Sequence, residues 1–204
     1  MIVGVNNTDF KIVNSENIGL AGQFSVNPSS CENSDFYKDY LMFNALLDVR
    51  SGRSTTHLFI DTDARRIMGF ISLRASSIIY HDEKNTPIGE PALEIAVLAV
   101  DKDYERRGVG SALIDLAISE ASMLRQNHLG VRYITLAADN LAVEFYRKML
   151  FSPMEDLWEH YMPKDGQNNT CVPMVLRLDF EFEGIERYLD EDDDEDNECS
   201  LIPS

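Results

Sequence analysis

One stretch constrains this chain more than any other: Pro91 to Ala112, PALEIAVLAVDKDYERRGVGSA. Leu93 and the run from Ile95 to Val100 are apolar without a break, the pattern of a strand covered on both faces, and Glu94 sits inside the run. A short polar connection leads to Glu105, Arg106, Arg107, Gly108, Val109, Gly110 and Ser111, after which Leu113, Leu116, Ala117, Ala121 and Leu124 recur at helical spacing. Two glycines at a helix N-terminus let the backbone approach a ligand closely. The unpaired N–H groups there attract phosphate, and two arginines add positive charge. The arrangement predicts a pyrophosphate cradle for a nucleotide cofactor. A Rossmann site would need GxGxxG and an acidic residue on the next strand, and a P-loop would need GK[ST]; neither is present.

A second block, residues 131–151, reads VRYITLAADNLAVEFYRKMLF: a strand, Asp139-Asn140 as a helix cap, and a helix carrying Phe145 and Tyr146. Together the two blocks resemble the GNAT superfamily of N-acetyltransferases. ERRGVG is similar to the family's coenzyme A signature, Q/R-x-x-G-x-G/A, with Glu105 at the first position in place of Gln or Arg. The second block is similar to the family segment that begins at Asn and ends (F/L)-Y-x-K-x-G-F. Asn140, Phe145, Tyr146, Lys148 and Phe151 match it, while Val143 replaces the usual Ala and Leu150 the usual Gly. Without that glycine the best residue for a left-handed helix stop is missing, so a different turn is expected after this helix. The resemblance spans roughly residues 55–180. It implies an α/β (α+β) fold: a central mixed, mostly antiparallel twisted sheet flanked by helices.

The resemblance also assigns roles. Acetyl-CoA is the implied cosubstrate, held at Glu105, Arg106, Arg107, Gly108, Val109, Gly110 and Ser111 through backbone N–H groups and charge. Leu98, Ala99 and Val100 would bind the pantetheine arm as an added pseudo-strand, and Asn140 would hydrogen-bond its amide. Acetyl transfer further requires that an incoming ammonium lose a proton and that a departing thiolate, of unperturbed pKa near ~8.5, be stabilised. A gapless alignment of EIAVLAV with the histone-lysine acetyltransferase branch places Glu94 on that branch's catalytic glutamate. Within an apolar strand its pKa is expected to rise, as suits a general base; a water chain is the alternative. Tyr146 is the candidate acid, its hydroxyl donating to the leaving sulfur.

Elsewhere the chain is less specific. Thr8 to Val13 reads as a first strand. Asp35 to Val49 reads as a helix whose apolar face takes in Phe36, Tyr40, Leu41, Phe43 and Leu47. Thr56–Asp61 and Ile67–Tyr80 read as a hairpin, Met154–Met162 as a strand bearing Trp158 and Tyr161, and Thr170–Phe180 as a last strand. His57, His81, His128 and His160 are isolated, and a structural or exposed role is the expectation for each. Cys31, Cys171 and Cys199 are odd in number and unclustered, which fits a reducing compartment and no metal site. With no apolar span and no basic leader at Met1 to Gly4, the expectation is a cytoplasmic protein without membrane partners.

Charge divides the chain. Residues 181–204 carry 11 acidic side chains against Arg187 alone, including an unbroken run from Asp190 to Asp196. Such a run repels itself and buries nothing, so residues 1–180 are expected to form the acetyltransferase domain and 181–204 a disordered acidic tail. The leading expectation is an N-acetyltransferase acting on a primary amine of a small molecule or protein, with a homodimer left open. A looser resemblance, carried by THLFIDTDARRIMGFISLRAS, LAVDKDY and EFYRK, is to acetyltransferase toxins that act on aminoacyl-tRNA. Nucleic acid would be a partner only in that case. Such proteins need a basic surface, and the formal charge of −17 argues against one. A non-catalytic acyl-CoA-binding module is the third reading.

Overall fold

The computed structural model describes residues 2–31, 33–81, 84–154 and 171–178. Their strands form one seven-stranded sheet in the order β1-β2-β3-β4-β5-β7-β6. The strands are β1 (Thr8–Ile12), β2 (Thr55–Asp61), β3 (Arg66–His81), β4 (Pro87–Val100), β5 (Tyr133–Asp139), β6 (Ser152–Pro153) and β7 (Cys171–Arg177). Every neighbouring pair is antiparallel except β4 and β5. That exception follows from the helix between them, α3 (Val109–Asn127), because a parallel pair needs a crossover connection. The expected mixed, mostly antiparallel sheet is therefore present. The expected strand from Met154 to Met162 lies largely outside the described residues, as do Trp158, Tyr161, His160, Cys199 and the segment 181–204.

β4 is covered on both faces, as its unbroken apolar run requires. Ile95 and Leu93 belong to the core under α3, with Leu113, Ile114, Ala117 and Ala121, whereas Val97 and Ala99 belong to the core on the opposite face, with Phe24, Leu41 and Phe70. The change of face has a local cause. Leu73 pairs with Ile95 but Ser72 pairs with Val97, so Ala96 is an extra residue in β4, a β-bulge. Because strand side chains alternate, one inserted residue exchanges the two faces for everything beyond it. Leu98 and Val100 accordingly pack toward α3.

The bulge coincides with the end of the parallel ladder. β4 and β5 pair only from Ala92↔Tyr133 to Ile95↔Leu136, after which β4 runs on to Val100 and β5 to Asp139 without pairing. The sheet forks there.

The predicted helix over 35–49 is one helical run in three parts: α1 (Ser34–Asp39), a wide turn (Tyr40–Asn44) and α2 (Ala45–Ser51). Asn33 Oδ1 accepts from the Phe36 N–H to start it, and Gly52 at φ 70° stops it. Its apolar face differs from expectation. The wide turn shifts the helical phase, so that Tyr40, Leu41 and Ala45 are buried while Phe36, Phe43 and Leu47 are exposed.

Candidate active site

The fork holds a cavity of ≈ 750 Å³, with Ile95 to Val100 on one arm, Leu136, Ala137 and Asp139 on the other, and the start of α3 at its end. Beyond Ile95 the β4 edge facing β5 has no ladder partner among the described residues, so its backbone groups are available to an extended ligand arm.

The cradle is built from buried polar contacts. Asp101, fully buried, accepts from the Ser25 N–H at 3.0 Å, the Asp103 N–H at 3.1 Å and Arg66 Nη2 at 3.1 Å, which anchors the end of β4. Tyr104 donates its hydroxyl to Asp61 Oδ2 at 3.1 Å, and the guanidiniums of Arg66 and Arg107 lie 5.4 and 5.3 Å from its ring centre. The chain then turns through two left-handed residues, Arg106 at φ 58° and Gly108 at φ 89°, before α3 begins. The first α-helical bond is from the Ala112 N–H to the Gly108 carbonyl, so the N–H groups of Val109, Gly110 and Ser111 precede the helix's own bonding. All three residues line the cavity. A side chain at Gly110 would place its Cβ 3.1 Å from Phe145 Cζ, so the close approach of α3 to Phe145 depends on glycine there. Three open donors, a helix N-terminus and Arg106 at the rim are the donor set a pyrophosphate requires, and the residues present fit coenzyme A.

Ten of the thirteen candidate residues come together here: Leu98, Ala99 and Val100 on β4, Glu105, Arg106 and Gly108 to Ser111 in the cradle, and Tyr146. Tyr146, on α4 (Val143–Lys148), is buried against Phe145 and Phe151 yet borders the cavity. Burial pushes its phenol far above the usual value, and the charges of Tyr37 and Asp139 add to the effect. It is therefore a proton donor throughout the neutral range.

Three candidates lie elsewhere. Arg107 packs on Tyr104, and its carbonyl accepts from the Val3 N–H at 3.2 Å. Asn140 is exposed in a short turn (Asn140–Ala142) that Asp139 caps by accepting from the Leu141 N–H at 2.9 Å. Glu94 precedes the cavity and is held by Arg74 on β3, from Nε to Oε2 at 2.9 Å and from Nη2 to Oε1 at 2.6 Å. The expected carboxylate in apolar surroundings is instead half of a bidentate ion pair.

The sequence reading missed Cys31, Tyr37, Asp139 and Cys171 as cavity residues. Burial pushes the Tyr37 phenol up to about 12, and burial with the Asp139 charge raises the Cys31 thiol. Cys31, Tyr37 and Cys171 belong to no motif and Asp139 reads only as a cap, while the register Asp139↔Cys171 between β5 and β7 brings two of them together. His57 does not line the cavity, and burial lowers its pKa. Among the described residues no group of His, Cys, Asp or Glu is placed to hold a metal, and no helix is long and apolar enough to cross a membrane.

The family model for the acetyltransferase (GNAT) domain matches residues 54–153, which hold both sequence blocks and the fork. The tRNA-acetylating toxin of Mycobacterium tuberculosis is 30% identical over 137 residues, covering 63% of this chain and 81% of that protein. This chain belongs to the GNAT acetyltransferases. It is an acetyl-CoA-dependent acetyltransferase. Solved structures share the architecture. A bacterial toxin superposes with a TM-score of 0.65 at 18% identity, covering 85% of this chain and 92% of that one. AtaT complexed with acetyl-methionyl-tRNAfMet gives 0.61 at 16%, covering 82% and 94%. AtaTR bound with acetyl-CoA gives 0.58 at 17%, covering 84% and 93%. At these identities the likeness is one of fold.

The turn after α4 departs from expectation. Leu150 takes the left-handed conformation at φ 67° that glycine would have supplied. The Phe151 N–H bonds the Tyr146 carbonyl at 3.0 Å and the Leu150 N–H bonds the Arg147 carbonyl at 3.0 Å, the pair of bonds of a Schellman stop. The GNAT turn is thus kept without its glycine, because Phe151 is buried in the core and holds the chain in that path.

Proposed function

We propose that this GNAT enzyme transfers the acetyl group of acetyl-CoA to the α-amine of an aminoacyl-tRNA. The observation that carries the proposal is the 30% identity with a tRNA-acetylating toxin over four fifths of that toxin's length. The sequence argument against it was the charge of −17. Of the 35 acidic and 18 basic side chains, however, 16 and 16 lie among the described residues, which are therefore formally neutral. The excess acidity belongs to other residues, chiefly 181–204, so the described residues carry no net negative charge to oppose a polyanion. Acetylation turns an aminoacyl amine into an amide, which can no longer act as the nucleophile of peptide-bond formation.

In this reading the cradle N–H groups of Val109, Gly110 and Ser111 hold the pyrophosphate, and the unpaired edge of β4 from Leu98 to Val100 holds the pantetheine arm. Tyr146 hydrogen-bonds the sulfur as the C–S bond breaks. A phenol whose pKa lies above that of a thiol stabilises the thiolate by donation rather than by outright proton transfer. The amine loses its proton through water, since Glu94 is engaged by Arg74 and does not line the cavity. Residues 181–204 are proposed to be an appendage to a domain ending near Phe180.

The test is acetyl-CoA carrying a labelled acetyl group, incubated with an aminoacylated tRNA pool, the same pool deacylated, and lysine peptides. Label on the aminoacylated pool alone supports the proposal. Label on lysine peptides with none on tRNA returns the acceptor to a protein amine.

A further inference from the structure

We infer that Asp139 is the anchor for the acceptor's ammonium group, a role that rests on acetyl transfer to an amine and not on that amine being carried by tRNA. Two carboxylates line the cavity among the described residues, Glu105 and Asp139. Glu105 lies at the cradle end, where its Oε2 accepts from Asn27 Nδ2 at 3.3 Å. Asp139 ends β5, three residues past Leu136, the last β5 residue to pair with β4, and so stands on the open arm of the fork. Tyr146, Tyr37 and Cys31 line the same cavity; burial is the main cause that raises each of these groups, and the Asp139 charge adds to it. One Asp139 oxygen, Oδ1, takes the Leu141 N–H, which orients the carboxylate.

Primary amines are cations at neutral pH, and a carboxylate on the wall of the cavity that Tyr146 also lines gives a cation a reason to stop there. The ammonium gives one proton to solvent, and its nitrogen then bonds to the acetyl carbon. The C–S bond breaks, the sulfur keeps the electron pair and takes a proton, and the products are an amide and the free thiol. One proton is released overall. Asp139 does not enter this balance. It selects a cationic acceptor and holds it within reach of the thioester.

Two probes separate this role from binding of the cofactor itself: coenzyme A alkylated on sulfur with a propyl chain, and with a 3-aminopropyl chain. Calorimetry on the full chain is expected to show the ammonium probe binding at least about fivefold more tightly than the propyl probe, the scale of one partly screened charge pair. In Asp139→Asn the preference disappears, while affinity for the propyl probe stays within about twofold, because asparagine caps a turn as well as aspartate does. Should that variant not fold, Asp139→Ser retains a capping oxygen and is read in the same way. A preference that survives either substitution, or that is absent in the wild type, overturns the inference. So does an equal loss of both probes on substitution, which would make Asp139 structural. Failure of both probes to bind the wild type would overturn the cavity as the coenzyme A site and this role with it. Neither probe contains tRNA, so the outcome is independent of the acceptor proposed above.

Discussion

Arg74 grips Glu94 across the β3–β4 ladder with two hydrogen bonds, at 2.9 and 2.6 Å, and the two residues are direct register partners. Half of the Arg74 side chain is exposed, so solvent screens the pair, and its contribution to stability is expected to be about 1 kcal/mol or less. Glu94→Gln should therefore lower kcat/KM by no more than about threefold, with the pH profile unshifted. Steady-state rates across pH 6 to 9 decide this. A large loss at low pH that recovers as pH rises would restore Glu94 to the role of general base.

Tyr146→Phe removes a hydroxyl from a buried ring and little else. Turnover should fall about tenfold or more while the Kd for acetyl-CoA stays nearly constant, since only a donor to the leaving sulfur is lost. Unchanged turnover would make Tyr146 a packing residue. The same variant has a stability signature. The native phenol is raised above its unfolded value of 10.0, so its contribution is complete below pH 10 and is lost as pH rises from there toward the native value. Denaturant titrations above pH 10 should show a weaker alkaline decline in Tyr146→Phe than in the wild type.

Gly110→Asp adds a carboxylate among the cradle donors and a Cβ 3.1 Å from Phe145 Cζ. Calorimetry should show acetyl-CoA affinity reduced by about a hundredfold or more in the folded variant, from charge repulsion and a blocked approach together. Gly110→Ala carries the steric part alone and should lose less. Equal and undiminished binding in both would remove the cradle assignment.

Leu150→Gly relieves a left-handed leucine, at φ 67°, in a residue that is 79% exposed. The conformational relief is about 1–2 kcal/mol and the added freedom of glycine in the unfolded chain takes back about 0.4–1 kcal/mol. A net gain of about 1 kcal/mol is expected, raising Tm by roughly 2–4 °C. A lower Tm would mean that the leucine side chain makes a contact worth more than the strain.

What the sequence determined by itself is whatever depends on contiguous residues. An apolar run, a turn with glycines and a helix suffice to make the cradle, because the open N–H groups of a helix start belong to the backbone and need no distant partner. Tyr146 was legible for the same reason, lying in a block whose spacing is local. The tertiary structure decided everything that depends on register. An unbroken apolar strand shows no alternation, so nothing in Leu93 to Val100 marks Ala96 as the bulge that exchanges faces and opens the fork. Glu94 reads as a carboxylate in apolar surroundings until a strand 20 residues earlier presents Arg74 to it. Asp139 reads as a cap, and is one, yet only the divergence of β4 and β5 puts it on the wall of the cavity that Glu105 also lines. Charge divides in the same way: the sum over the chain is −17, whereas the described residues are formally neutral.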